Sequence, residues 1–257
     1  MRQVRVGGRY LQCREQRLWA ALVGMIVLAT VGIRLVVGDP GSGLFHPTLL
    51  HLGAGLAAVV TAYRIGRPVA RRLRNVRRGR LGERLVTDLL RGLSDDYWLI
   101  NDVTLGLAHG NIDHVLIGPC GVVVIETKRI AGSIRCWGDG WSVNGYRRKN
   151  ISRQVNSGAC AVRYFLSKGH PELAPAALRW VESIIVFTHP LCRVEGSDAR
   201  ATVVRYSQLY QAVLELSRKY RMAPSTAALL AQTLASSEEG VDAARRVALT
   251  SASLSAR

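Results

Sequence analysis

The sequence predicts an α/β domain, a sheet flanked by helices, preceded by two apolar helices long enough to span a membrane. Three observations carry that reading. Residues 111–118 and 121–128 are rich in Val and Ile and meet at a Gly-Pro-Cys-Gly turn, as in a β-hairpin. Leu81, Leu85, Val86, Leu89, Leu90 and Leu93 recur at helical spacing, and 150–167 also reads as a helix. Residues 18–37 carry one charge, Arg34, and 44–63 are interrupted only by His46, Pro47 and His51.

In chain order, residues 1–17 form a basic N-terminus and 18–63 a transmembrane helical hairpin with a turn cluster at 38–43. Residues 64–80 hold eight Arg and no acid, a juxtamembrane linker expected to lie on anionic lipid. Both outer flanks are Arg-rich and the connection has none, so both termini are expected on the cytoplasmic side of the cell membrane, with Trp19 and Tyr63 at one interface. The formal net charge is +17, of which residues 1–80 supply +12 (14 Arg against 2 acids) and 81–257 only +5. The high basicity is therefore mostly N-terminal and is no direct footprint of nucleic acid. Five scattered cysteines without a CxxC pair point away from a disulfide framework or a zinc site.

The folded domain is expected over 81–236, with 237–257 a polar, disordered tail. Its first helix, 81–93, carries Glu83 in the first turn, a favourable place for an acid in any helix. Strands are expected at 97–105, 132–137, 141–143, 181–188 and 202–205, with 132–143 a second hairpin around Gly138-Asp139-Gly140. Helices follow at 207–220 and 225–234, with Ser207 and Ser225 as N-caps.

The chemistry is concentrated at 111–128. With a two-residue loop at Pro119 and Cys120, Gly118 faces Gly121, Asp113 faces Glu126 and Asn111 faces Lys128, all from one face of the hairpin. His114 and Ile125 point the other way. Opposed carboxylates repel, and a hard divalent cation between them, Mg²⁺ or Mn²⁺, removes the repulsion. Two carboxylates plus a Lys suit phosphodiester hydrolysis. The competing reading is a solvated face with an incidental Glu/Lys pair, and a one-residue slip of register would separate the two acids. Arg147, Arg148, Lys149 and Arg153 cluster before and within the 150–167 helix as candidate phosphate contacts.

Gly82-Glu83, then Asn111-Ile112-Asp113-His114, then Ile125-Glu126-Thr127-Lys128 together resemble the nuclease-related domain (NERD) family, placed in the PD-(D/E)xK nuclease superfamily. The resemblance covers about residues 79–190. It implies a restriction-endonuclease-like mixed sheet and a membrane-anchored, Mg²⁺-dependent nuclease acting on nucleic acid, DNA before RNA. It makes Asp113 and Glu126 the metal ligands, Lys128 the catalytic cation and Glu83 a third carboxylate. Gln154 corresponds to a Gln that positions water or phosphate in similar nucleases. Ile112 stands where the superfamily pattern has Pro, a residue with no chemical part. The rival is a catalytically silent, membrane-tethered nucleic-acid- or protein-binding module on the same fold.

Overall fold

The computed structural model describes residues 1–3, 9–37, 49–105, 110–138, 140–148, 150–197 and 199–236. The elements in order are β1 (Arg2–Gln3), α1 (Arg9–Val37), α2 (Leu49–Leu90), β2 (Trp98–Val103), β3 (Ile112–Gly118), β4 (Gly121–Lys128), β5 (Gly132–Trp137), β6 (Gly140–Val143), β7 (Tyr146–Arg148), α3 (Ile151–Gly169), β8 (Glu182–Phe187), β9 (Cys192–Ser197), β10 (Thr202–Arg205), α4 (Tyr206–Tyr220) and α5 (224–236). They fall into two compact units, Met1–Gly8 with Leu81–Arg257, and Arg9–Arg80.

The larger unit is an α/β fold built on a six-stranded mixed sheet in the order β1-β2-β3-β4-β8-β10. Strands β2, β3 and β4 pair antiparallel, whereas β1 with β2, β4 with β8, and β8 with β10 pair parallel. The β3–β4 register runs from Gly118 opposite Gly121 to His114 opposite Ile125, as the two-residue loop requires. Gly121 takes φ +79°, a conformation that costs glycine nothing. Alternation along these strands divides the core in two. Val115, Ile117, Val122 and Val124 pack with Val155 and Val162 of α3. Leu116, Val123 and Ile125 pack with Val86 and Leu90 of α2 and Leu209 and Val213 of α4. A second sheet, β7-β6-β5-β9, buries Ile134, Cys136, Trp141 and Val143 in the α3-side core, and Trp141 Nε1 donates to Ser152 Oγ at 3.0 Å.

Several elements differ from the sequence reading. Helix α2 is continuous through 64–80, so the linker is helical, and Leu81 is exposed while Val86 and Leu90 carry the buried face. Helix α4 starts at Tyr206; the Gln208 side chain accepts the Arg205 N–H at 3.0 Å, so Ser207 is no cap. Residue 225 lies inside α5, which begins at Pro224, a residue suited to a first helical position. Strands β1, β7 and β9 were not expected. Arg2–Gln3 is too short and polar to show a period, yet it pairs with Trp98 and Leu99. β7 is exposed at every residue and β9 is punctuated by charge. The expected turn cluster at 38–43, the start of the second apolar run at 44–48, Lys149 and the tail at 237–257 lie outside the described residues.

In the smaller unit α1 and α2 run antiparallel. Glu15 accepts from Arg77 Nε at 3.0 Å and from Arg80 Nη1, and Arg77 stacks on the Trp19 ring at 5.1 Å. A Cβ on Gly66 would meet Met25. Trp19 is therefore level with Arg77 and not with Tyr63, and the arginines after Tyr63 run alongside the first apolar run. Among the described residues no helix is long and apolar enough to cross a membrane.

Candidate active site

Asp113 and Glu126 reach the same place because odd residues of β3 and even residues of β4 share the α3-side face. The ladder stops at His114–Ile125, and beyond it the Asp113 side chain takes over as acceptor: Thr127 N donates to Asp113 Oδ2 at 2.7 Å. That bond fixes the Asp113 carboxylate against the end of β4. Glu126 is buried, 4% exposed, and its Oε1 accepts from Lys128 Nζ at 2.5 Å. The same ammonium donates to Gln154 Oε1 at 3.1 Å, which brings α3 into the site. Helix α3 can approach because residue 158 is Gly; a Cβ there would sit 3.2 Å from Ile112 Cγ1 and 3.5 Å from Val124 Cγ1. Glu126, Gln154, Asn111, Ile112 and Gly158 line one cleft.

Burial, then the Glu126 charge, then the Glu83 charge push the Asp113 carboxyl well above the usual carboxylate range, against the Thr127 N–H and Lys128. Burial also raises Glu126, which Lys128 partly offsets. Two carboxylates thus feel each other in a poorly hydrated spot, with the one ammonium held on Glu126. Their hard oxygen donors suit a small divalent cation, which uses one or two carboxylates and keeps several waters. Among the described residues no group of three or more His, Cys, Asp or Glu side chains is placed to hold a metal ion. Glu83 therefore stands near enough to be felt at Asp113 but is not assembled as a third ligand.

Glu83 is brought there by Gly82, whose Cβ position lies 2.9 Å from Thr188 Oγ1 and 3.0 Å from Thr127 Cγ2. Only a residue without a side chain lets α2 lie this close to the end of β4. Asn111 precedes β3, beyond the last paired residues of the β3–β4 ladder; it donates to Asp102 Oδ1 and accepts from Thr104 Oγ1 at 3.1 Å. Asp102 sits at φ +61°, breaking the β2–β3 ladder beside Asp113, and hydrophobic alternation carries no sign of it. His114 is buried on the opposite face, bonded through Nδ1 to Asn101 Oδ1 at 2.7 Å, and burial pushes its pKa down to about 3. It is a neutral core residue. Arg147 and Arg148 lie exposed on β7, and Arg153 is exposed one residue before Gln154. Thr127 and Gly82 shape the site in ways residue chemistry alone does not announce, one through its backbone N–H and the other through the side chain it lacks.

No curated protein and no solved structure matches the chain. Residues 78–188, which carry Glu83, Asp113, Glu126, Lys128 and Gln154, match the nuclease-related domain family, NERD.

Proposed function

We propose that the chain is a nuclease that hydrolyses nucleic-acid phosphodiester bonds, DNA before RNA, with Mg²⁺ or Mn²⁺ held by Asp113 and Glu126. The observation that carries the reading is the convergence of a buried and a half-buried carboxylate, an ammonium and an amide at one hairpin end, within the nuclease-related region. The mixed sheet with its site at the end of the central hairpin supports a restriction-endonuclease-like arrangement. A bound cation would lower the pKa of a water nucleophile and offset charge building on the phosphate. Asp113 is held ready by the Thr127 N–H, and Glu126 by Lys128. An ammonium has three donors; two go to Glu126 and Gln154, and the third can meet the developing charge on a phosphate oxygen. With its Oε1 on Lys128, Gln154 offers its amide N–H groups to the attacking water or the phosphate. Arg147, Arg148, Lys149 and Arg153 are proposed as further phosphate contacts.

The test is cleavage of mixed DNA and RNA by the purified chain with Mg²⁺, with EDTA, and with Glu126→Gln. The reading predicts cleavage only in the first. The silent-module alternative, favoured by the modest charge of 81–257, predicts binding without cleavage in all three.

Membrane attachment through 18–63 is part of the proposal. Val23, Ile26, Val27, Val31, Leu56 and Val60 are all exposed in the smaller unit, which suits a lipid environment. Helices α1 and α2 run antiparallel within the smaller unit, so its two ends lie on one side, proposed as cytoplasmic. The Arg-rich part of α2 beside the first apolar run suits helices lying among anionic headgroups; two full crossings would require the helices to pair differently. Alkaline carbonate separates the two, releasing a surface-bound chain and leaving a spanning hairpin in the membrane.

A further inference from the structure

The outer face of the second sheet is exposed, and its register can be read row by row. Arg147 on β7, Ser142 on β6, Arg135 on β5 and Glu195 on β9 lie side by side, and Arg193 on β9 sits opposite Ser133. Trp137 projects from the same face of β5 as Arg135 and is 61% exposed. Its partner on β6 is Gly140, so no neighbouring side chain on that strand covers the indole. A buried-face residue would sit like Trp141, which is closed into the core. The face thus offers an uncovered aromatic flanked by small residues and three Arg against one Glu. The Arg135–Glu195 pair at 3.0 Å is half exposed on both sides and holds Arg135 only weakly.

The position of this face links it to the site. Strand β4 ends at Lys128 and β5 begins at Gly132, while Thr188 N donates to Lys128 O and Gly132 N to Leu191 O, so the second sheet starts where the catalytic strand stops. Beyond β9 a groove of about 610 Å³, lined by Arg193, Glu195, Arg205 and Gln208, continues the basic track toward α4.

We propose that this face binds single-stranded nucleic acid, feeding or retaining a strand beside the carboxylate site; the substrate assignment rests on the nuclease reading, the binding does not. From β7 to β9 the sheet spans about 14 Å at ~4.8 Å per strand, room for about four stacked nucleotides at ~3.4 Å each. An unpaired base presents a face that can stack on Trp137, and the three Arg meet the backbone. Bases in a duplex are already stacked and leave the indole without a partner.

The experiment uses the full chain in mild detergent with EDTA, so that binding is read without cleavage. A fluorescein-labelled 12-nucleotide single-stranded DNA and a duplex of the same sequence are followed by anisotropy. The single strand should bind about tenfold or more tightly than the duplex. Trp137→Ala should weaken it about tenfold, Trp137→Phe should retain most of the affinity, and Trp180→Ala, an exposed Trp outside this sheet, should leave it unchanged. Arg147→Ala with Arg193→Ala should lower the salt slope by about 1.4, ~0.7 for each lost phosphate contact on a single strand. Unchanged single-strand affinity in Trp137→Ala and in the double Arg variant, or a duplex bound as well as the single strand, overturns the proposal. Binding as described by a chain that never cleaves sinks the nuclease reading alone; cleavage with no loss on Trp137→Ala sinks this one alone.

Discussion

Lys128→Met removes the ammonium from a carboxylate that has almost no water to turn to. The Glu126 side chain is 6% exposed and that of Lys128 23%, with 2.5 Å between Nζ and Oε1. Breaking a fully buried pair costs about 3–5 kcal/mol; the partial exposure of Lys128 brings the expected loss at neutral pH to about 2 kcal/mol. Burial already raises the Glu126 pKa in the folded chain, and removing Lys128 raises it further. A carboxylate with a raised folded pKa destabilises the fold where it must ionise, so the penalty is largest at neutral pH and fades as acid protonates Glu126. A double-mutant cycle of Lys128→Met and Glu126→Gln, by denaturant unfolding followed by tryptophan fluorescence, isolates the pair. A coupling of about 2 kcal/mol at pH 7 that shrinks toward zero near pH 4 is expected. A coupling under about 0.5 kcal/mol at pH 7, or one indifferent to pH, refutes the reasoning.

Three further outcomes follow from the same geometry. Gly82→Ala places a Cβ 2.9 Å from Thr188 Oγ1 and 3.0 Å from Thr127 Cγ2, so α2 must shift from β4; a loss of about 1–3 kcal/mol in denaturant stability with reduced cleavage is expected, and an unaffected protein contradicts the packing. His114, held neutral with its pKa at about 3 against ~6.5 unfolded, contributes stability that is full above pH ~6.5 and lost as pH falls toward 3; stability measured across that range should fall less steeply in His114→Gln. Lys128→Ala should lower cleavage on the order of 10²-fold, with Lys128→Arg a partial rescue at best, since a planar guanidinium is a poor substitute for a compact ammonium; turnover at the parent rate in Lys128→Ala would remove Lys128 from the chemistry.

The hairpin was legible because three signals agree there: β-branched composition, a two-residue turn and alternation that sorts Asp113 and Glu126 from His114. Helix α3 and strand β10 were also placed nearly to the residue, the first with Asn150 capping through the Arg153 N–H at 2.9 Å. What escaped has no periodic trace. Strand β1 is two residues long and is held by the edge of β2 and by the Met1 ammonium on Leu93 O and Asp95. The left-handed Asp102, whose carboxylate holds the Asn111 amide, interrupts the β2–β3 ladder with no mark in the hydrophobic pattern. Glu83 could be placed on a helix, but its distance from the carboxylates depends on how closely Gly82 lets α2 approach. The apolar runs at 18–37 and 44–63 are plain in composition, whereas their mutual register is set by Glu15 with Arg77 and Arg80, contacts no hydropathy window contains.

The central claim is that Asp113 and Glu126 share a divalent cation. Calorimetric titration of Mn²⁺ into the full chain near pH 6, in two buffers of different ionisation enthalpy, tests it directly. Burial and the Glu126 charge raise the Asp113 pKa and burial raises that of Glu126, so a cation that needs both ionised should release protons as well as heat on binding. The account predicts one site whose binding and proton release both vanish in Asp113→Asn and in Glu126→Gln and survive in Lys128→Ala. Undiminished binding in either carboxylate variant, or no binding by the parent chain, would contradict it.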